Sequence, residues 1–257
     1  MNGQLYQICL IVAAGKKAVQ SGGEIKYSYA KYENTITFTF LPEQKLFGVK
    51  RYTASNVAEW FRYIKKKGLQ DIKLICPVHV KDKQLLGFSN TTESSILCFF
   101  KGGIVTCFVA DWQFDSEKRQ WNICYSEHKW PNPPSEKPRF ENNIISFKKV
   151  LSDIQNFAVQ IGCENFAHIF SSAQNILDGS GEYPDLKFGL ELPQIPSDHL
   201  RIFEAASCAD VFGAMGSWNA SPPYMAHEKG LDREYETLSD ELLRNIRLAI
   251  LYAINEW

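Results

Sequence analysis

The residues best suited to acid–base or metal chemistry are spread thinly along the chain. Histidine changes its charge near neutral pH and is a common metal ligand. No two histidines stand three or four residues apart, the spacing that would place two ligands on one face of a helix. His227-Glu228-Lys229 resembles the start of a metal-binding motif but has no second histidine four residues on. The pattern therefore predicts no metal site and no cofactor. The five histidines are His79, His128, His168, His199 and His227.

The motifs that mark common nucleophiles and phosphate-binding loops are also missing. There is no G-x-S-x-G segment, so a hydrolase nucleophile elbow is not indicated. Residues 13–17 hold only a fragment of a P-loop, and residues 21–23 are one glycine short of a dinucleotide fingerprint. Two basic clusters, at 65–67 and 148–149, stand at predicted helix ends, where cations are ordinary. We therefore expect no nucleic-acid partner.

One segment near the C-terminus combines loop-forming residues with large side chains. Residues 213–224 contain two glycines and two prolines together with serine and asparagine, which predicts a loop. The same loop carries Met215, Trp218 and Tyr224. Two interpretations of Trp218 stay open. It fills the interface between helices and sheet, as most tryptophans do, or it anchors a partner together with Tyr224.

Within this loop, Gly213-Ala214-Met215-Gly216-Ser217-Trp218-Asn219 resembles the G-x-M-G-S-W-N segment of bacterial polymorphic-toxin immunity proteins of the immunity protein 52 type. The helical pattern from Tyr235 onward is similar to that family's closing helix. The resemblance implies a non-catalytic protein that binds a cognate toxin, often a nuclease, and blocks its active site inside the producing cell. The motif and the acidic residues after it offer these candidates for partner contact: Gly213, Met215, Gly216, Ser217, Trp218, Asn219, Tyr224, Glu228, Asp232 and Glu234.

The charge of the chain is divided unevenly. Residues 1–181 carry 22 Lys and Arg against 16 Asp and Glu, a balance of +6, whereas residues 182–257 carry 6 against 13, a balance of −7. Acidic solvent faces on the C-terminal helices are one explanation. An acidic surface that meets a basic partner is the other, and the cleft of a nuclease is basic because it holds phosphates.

An enzyme acting on small molecules is the alternative function. In this hydrolase-like interpretation the loop at 213–230 is an active-site lid, and His227, Glu228 or Asp198 are the acid–base groups. A structural or scaffold protein is a third possibility.

Composition limits the class of protein. A hydrophobic content of 45% excludes a disordered chain. The apolar run Ile8–Gly15 is too short for a membrane helix and lacks the preceding positive charge of a signal peptide. The seven cysteines include no C-x-x-C pair, and most stand in apolar runs, which indicates buried thiols. An odd number of cysteines without an export signal favours a reducing compartment, so we expect a cytoplasmic protein.

The first half of the chain reads as mostly strand. Residues 24–32 and 35–40 alternate, with Ile36, Phe38 and Phe40 on one face, and Glu33-Asn34 is the predicted hairpin turn. Residues 55–67 have helical spacing and end at Gly68, a typical helix stop. Further strands are predicted at 47–52, 72–80, 96–100, 104–110 and 120–125, with a hairpin at Lys101-Gly102-Gly103.

The second half reads as helical. Residues 131–138 contain four prolines and form a predicted connection. Amphipathic spacing predicts helices at 147–161, at 166–177 and at 197–212, the last with Ser197 or Asp198 as its cap. A final helix begins at Thr237 in capping-box form. These elements predict one α+β domain over residues 1–257. A largely antiparallel sheet from the strand-rich region 1–130 is covered by helices from the region 139–257.

Overall fold

The computed structural model describes residues 1–45, 48–130, 136–180 and 191–257, with the backbone alone for 44–45 and 48–50. Parts of the predicted strand at 47–52 and of the predicted connection at 131–138 lie outside these residues. The helices are α1 (Gly3–Ser21), α2 (Val57–Lys66), α3 (Ile144–Gln160), α4 (Glu164–Asp178), α5 (Ser197–Ala209), α6 (Pro222–His227) and α7 (Asp232–Asn255). The strands are β1 (Glu33–Thr39), β2 (Glu43–Lys45), β3 (Gly48–Lys50), β4 (Thr53–Ala54), β5 (Leu69–Ile75), β6 (Ser95–Phe100), β7 (Val105–Asp115) and β8 (Gln120–Lys129).

Six of these strands form one sheet in the order β4-β1-β8-β7-β6-β5. Every neighbouring pair is antiparallel except β1 and β8, which are parallel. The predicted hairpin between β6 and β7 is confirmed, and Gly102 and Gly103 both adopt the positive φ angles that its turn requires. The α+β class with a largely antiparallel sheet is therefore confirmed.

Helix α1 is the longest element that the sequence patterns missed, and α6 falls in a segment predicted as a loop. Helix α1 is buried on nearly all sides from Gln4 to Ala13, because its apolar residues occupy every face and not one stripe. The side chain of Asn2 accepts a hydrogen bond from the Gln4 backbone N–H at 2.8 Å and caps the helix start, and Gly22 ends the helix in the left-handed conformation. An apolar run without periodicity does not distinguish a buried helix from a buried strand.

The predicted hairpin at 24–40 is wrong. Residues 24–30 form no strand, and Glu33, the expected turn residue, begins β1 and is buried. Its carboxylate accepts hydrogen bonds from the Ala30 backbone N–H at 2.8 Å, the Tyr27 hydroxyl at 2.8 Å and the Gln7 amide at 2.6 Å. A buried carboxylate needs such donors. Tyr27, which belongs to the segment predicted as a strand, donates to this carboxylate and does not pair in a sheet. Burial raises the pKa of Glu33.

Helices α1 and α2 from the N-terminal half cover the inner face of the sheet together with α7, so the predicted cover of C-terminal helices is joined by two N-terminal ones. The predicted face of Ile36, Phe38 and Phe40 is buried there, and the Phe38 ring stacks on Trp60 of α2 at 4.6 Å. Helix α1 lies against β5 so closely that a Cβ on Gly15 would meet the Ile72 side chain at 2.8 Å. The C-terminal helices pack mainly on one another, and α7 also reaches β5.

The C-terminal helices follow the predicted pattern except at two caps. Helices α3, α4 and α5 are confirmed, but neither Ser197 nor Asp198 caps α5, because Pro196 holds the cap position. Helix α7 begins at Asp232 and not at Thr237, whose hydroxyl donates to the Arg233 carbonyl within the helix. The chain reverses at Gly230, which has a φ of 68°, and α7 therefore begins directly after it, before Thr237. Most buried apolar residues of both halves form one continuous hydrophobic cluster, and Leu97, Phe99 and Cys107 form a second, small one.

The end of the chain closes the free edge of the sheet. Strand β5 is an edge strand, and the Asn255 side chain pairs with both backbone groups of Leu74: Oδ1 accepts from the N–H at 2.8 Å, and Nδ2 donates to the carbonyl at 2.9 Å. Beside it, buried Lys73 forms an ion pair with Glu256 at 2.8 Å. One amide side chain thus satisfies a strand edge that would otherwise be unpaired.

Replacing Asn255 with Leu should lower the free energy of unfolding by about 2–4 kcal/mol, because two buried backbone groups of Leu74 lose their partners. Urea unfolding followed by circular dichroism measures this. The control is Gln20→Ala, which removes an exposed hydrogen bond to the Trp257 carbonyl in the same segment and should cost less than about 0.5 kcal/mol. Equal losses for the two variants would contradict the assigned role of Asn255.

Candidate functional site

The loop between α5 and α6 is closed by its own polar residues. The Asn219 Oδ1 atom accepts from the Gly213 backbone N–H at 3.0 Å, and its Nδ2 donates to the Gly213 carbonyl at 2.9 Å. The Ser217 Oγ atom lies 2.8 Å from Asn219 Oδ1 and 3.0 Å from the Gly213 carbonyl, so its hydroxyl donates to one of them. Gly216 has a φ of 81°, which a residue with a side chain rarely adopts. Gly213, Gly216, Ser217 and Asn219 therefore shape the loop.

Trp218 is a core residue, but its ring contacts lie on α3, α4 and α7, within the helical layer and not at the predicted interface between helices and sheet. Its side chain is fully buried, and its Nε1 donates to the Ser239 hydroxyl at 2.8 Å. The Tyr235 hydroxyl donates to the Trp218 carbonyl at 2.9 Å, and the two rings stack at 5.7 Å. The rings of Phe166 and Phe170 meet the indole edge to face at 5.2 Å and 5.3 Å. The loop is thus tied to α4 and α7.

The other predicted site residues lie on the surface. The Met215 side chain is 98% exposed, and that of Tyr224 is 64% exposed. Glu228, Asp232 and Glu234 are exposed as well. Single exposed apolar side chains are ordinary on a protein surface, and Met215 stands out only by its place in a loop that is closed by its own hydrogen bonds.

The loop that carries Met215 also packs against a neighbouring 3₁₀ helix. The short 3₁₀ helix Lys83–Gly87 packs against it, and a Cβ on Gly87 would meet the Ala214 backbone nitrogen at 2.4 Å. Lys83 in the same turn forms ion pairs with Asp240 at 2.6 Å and Glu236 at 3.2 Å of α7. The backbone around Met215 is therefore fixed from two sides.

The acidic residues of the C-terminal region are only partly gathered. Glu228, Asp232, Glu234 and Glu241 are exposed along the α6–α7 turn and the first half of α7. Lys229 and Arg233 stand among them and are exposed too. Other acids of the region are used elsewhere or lie at 182–190, outside the described residues. The exposed acids thus form a mixed surface with an acidic excess.

His227 is placed on the open surface by α6. Its Nδ1 lies 2.8 Å from Asp232 Oδ1, and both side chains are mostly exposed. This contact raises the pKa of His227 and lowers that of Asp232, because the hydrogen bond favours the charged form of each group. Asp198 lies at the start of α5 beside His199. The acid–base groups proposed for a lid enzyme are thus not collected at the bottom of a cleft.

Two depressions accompany these residues. A groove of about 660 Å³ between α3 and α7 is lined by Asp153, Gln160, Arg233 and Glu234 around the floor of Phe157 and Leu238. His227 does not line it. A second, aromatic cleft of about 240 Å³ lies beside the start of α1. Trp112 and Trp121 lie on the neighbouring strands β7 and β8, where Phe114 pairs with Trp121, and this cluster of aromatic residues is the signal that could have indicated the cleft. Tyr32 comes from a distant part of the sequence.

A buried charge also escaped the sequence analysis. Arg247 is 2% exposed, and its Nε and Nη1 have no hydrogen-bond partner among the described residues. The buried Oδ2 of Asp210 is equally unpartnered there. Both act electrostatically on the thiol of Cys76, whose pKa burial raises to about 11. All seven cysteines are free, and five are buried as expected, so Cys76 is an inert interior thiol.

Within the described ranges, no group of three or more His, Cys, Asp or Glu side chains could hold a metal ion. The helices of the same ranges include none with the length and apolar character needed to cross a membrane. Compared with known proteins, the chain matches no family model, no curated protein and no solved structure. The residues themselves therefore carry any functional conclusion.

Replacing Ser239 with Ala should lower the free energy of unfolding by about 1–3 kcal/mol, because the buried Trp218 Nε1 loses its acceptor. Thermal and urea unfolding measure this loss. Thr237→Ala on the same helix, which removes an exposed hydroxyl, is the control and should change little. A Ser239 variant as stable as the control would mean that the bond does not hold the loop.

The His227 pKa should lie above 6.5 in a proton NMR titration, and Asp232→Asn should return it toward that ordinary value. Raised His and lowered Asp pKa values mean that the pair stabilises the fold fully between pH 3.8 and 6.5. The contribution is lost as pH rises through the raised His227 pKa or falls through the lowered Asp232 pKa. Glu228→Gln should shift His227 less. A pKa that does not respond to Asp232→Asn would exclude the pair.

Proposed function

We propose that this chain is a non-catalytic immunity protein that binds a cognate bacterial toxin in the cytoplasm and blocks its active site. The observation that carries the proposal is the position of Met215. A side chain that is 98% exposed projects from the loop whose sequence resembles the immunity-protein motif. Burial of such a side chain against a partner removes apolar surface from water, and the rigid loop loses little conformational entropy on binding.

The motif residues have different roles in this proposal. Gly213, Gly216, Ser217 and Asn219 build the loop, and Trp218 fastens it to the core. They fix the backbone at Met215. In this proposal, most residues of the motif therefore support the contact residue and do not touch the toxin themselves. Preorganisation of this kind raises affinity by lowering the entropic cost of association.

The partner's chemistry follows from the neighbouring charges. Tyr224 on α6 adds a second exposed anchor, and Tyr is common among residues that dominate binding energy. Glu228, Asp232 and Glu234 follow on the α6–α7 turn and on α7, and each is exposed. Acids in this position favour a toxin with a basic cleft, such as a nuclease, and raise its association rate.

Co-expression with the product of the adjacent gene tests the proposal. The neighbour alone should arrest growth, and this chain should restore it. Met215→Glu should weaken binding at least about tenfold, because a charge then has to enter an apolar contact. Ile145→Glu, at an 87% exposed position on α3, is the matched control and should protect fully. Glu228→Lys and Glu234→Lys should slow association at low salt.

Three results would overturn the proposal. The neighbouring gene product is harmless on its own, or it remains toxic when this chain is present. Met215→Glu and Ile145→Glu protect equally well although both variants are folded. In the third case the loop would not be the contact surface.

A further inference from the structure

The aromatic cleft beside α1 is a built depression at the end of the covered sheet face. The rings of Tyr32 and Trp112 stack with centroids 6.1 Å apart and planes at 26°, and Trp121 meets Trp112 at 5.7 Å. Phe88, 57% exposed, forms the other rim. Its volume of about 240 Å³ is below the roughly 300–1,000 Å³ of common small-molecule sites. The cleft thus fits one part of an extended ligand, not a whole cofactor.

The lining of the cleft is uncharged. Its residues are aromatic, glycine, or neutral polar side chains, and no Asp, Glu, Lys, Arg or His is among them. A cationic ligand would lack a carboxylate, and the first turn of α1 on one side has the partial positive charge of a helix N-terminus. An anionic ligand would lack a cation of full charge. The electrostatics of the lining therefore favour a neutral ligand.

The hydrogen-bonding groups of the lining are unbalanced toward donors. The amides of Asn2 and Gln4 are already used, since Asn2 bonds to the Leu86 carbonyl and Gln4 exchanges two bonds with Asn90. In contrast, the Trp112 Nε1 and the Tyr32 hydroxyl are buried and have no partner among the described residues. An unpartnered buried donor is unfavourable, so an acceptor brought by a ligand would be stabilised here.

We propose that this cleft binds a proline-rich peptide segment in the extended polyproline conformation. Proline rings pack well on flat aromatic side chains, here the partly exposed Tyr32 and Trp121 and the exposed Phe88, and this is the recurrent mode of proline-rich recognition. A proline residue also brings a carbonyl acceptor and no N–H donor, which matches the imbalance of the lining. The proposal requires Tyr32 or Trp112 to rotate on binding, because both donor atoms are buried in the free protein. The proposal does not rest on the proposed function, although Gly87 of the lining packs against Ala214 beside Met215.

Isothermal titration of the full chain with a decamer of proline tests the proposal, with a glycine–serine decamer as the control peptide. The proline peptide should bind saturably and the control should not. Phe88→Ala should weaken binding about tenfold, since it removes a ring from the rim. Leu85→Ala, at an exposed position three residues away that does not line the cleft, should leave affinity unchanged.

Tyr32→Phe separates binding from folding. It keeps the ring and removes only the unpartnered hydroxyl, so stability in urea should not fall, while affinity for the proline peptide should drop several-fold. The proposal is overturned if the proline decamer does not bind, or if all variants bind it equally. Saturable binding of tetramethylammonium with no binding of the peptide would also overturn it and assign the cleft to cations.

Discussion

The burial of α1 on nearly every side is the constraint on which the rest of the structure depends. A helix in this position brings its own polar side chains into the interior, and each of them needs a partner. Gln7 is fully buried, donates to Glu33 and accepts from the Tyr125 hydroxyl at 2.7 Å. Lys16 donates to the Asn255 carbonyl, and burial lowers its pKa. The start of β1 and the end of α7 are thereby tied to the same helix.

These ties set the positions of the surface features. The Asn255 carbonyl accepts a hydrogen bond from Lys16, and the Asn255 side chain bonds to the Leu74 backbone of β5. These bonds fix the position of α7 at its C-terminal end. About four to six turns upstream, the same helix presents Ser239 and Tyr235 to Trp218. The loop with Met215 is consequently positioned by the packing of the core. The position of the backbone that carries Met215 therefore follows from contacts made in the core.

Local patterns predicted those elements whose burial is one-sided. The alternation at 36–40 and the helical stripes of α2, α3 and α4 each have a solvated face, which leaves a period in the sequence. Helix α1 has no such face, so its run Ile8–Gly15 carries no period to distinguish helix from strand. Glu33 resembles a turn residue in the sequence because a carboxylate is rarely buried. The donors that allow its burial, among them Gln7 and Tyr27, are not visible in the local pattern. The depth of Trp218 and the cleft of Trp112 and Trp121 depend on the same long-range packing.

The motif that suggests a family consists largely of residues that the fold itself requires. Glycines with special backbone angles, a Ser–Asn pair that closes a loop and a buried tryptophan would serve any function built on this scaffold. Specificity must then reside in the side chains that the scaffold leaves free, and a fold does not by itself imply a function. Met215 is the extreme case, since its neighbours are immobilised while its own side chain contacts almost nothing. In the proposed function, the exposed acids interleaved with Lys229 and Arg233 would select a partner by the pattern of their charges more than by their sum.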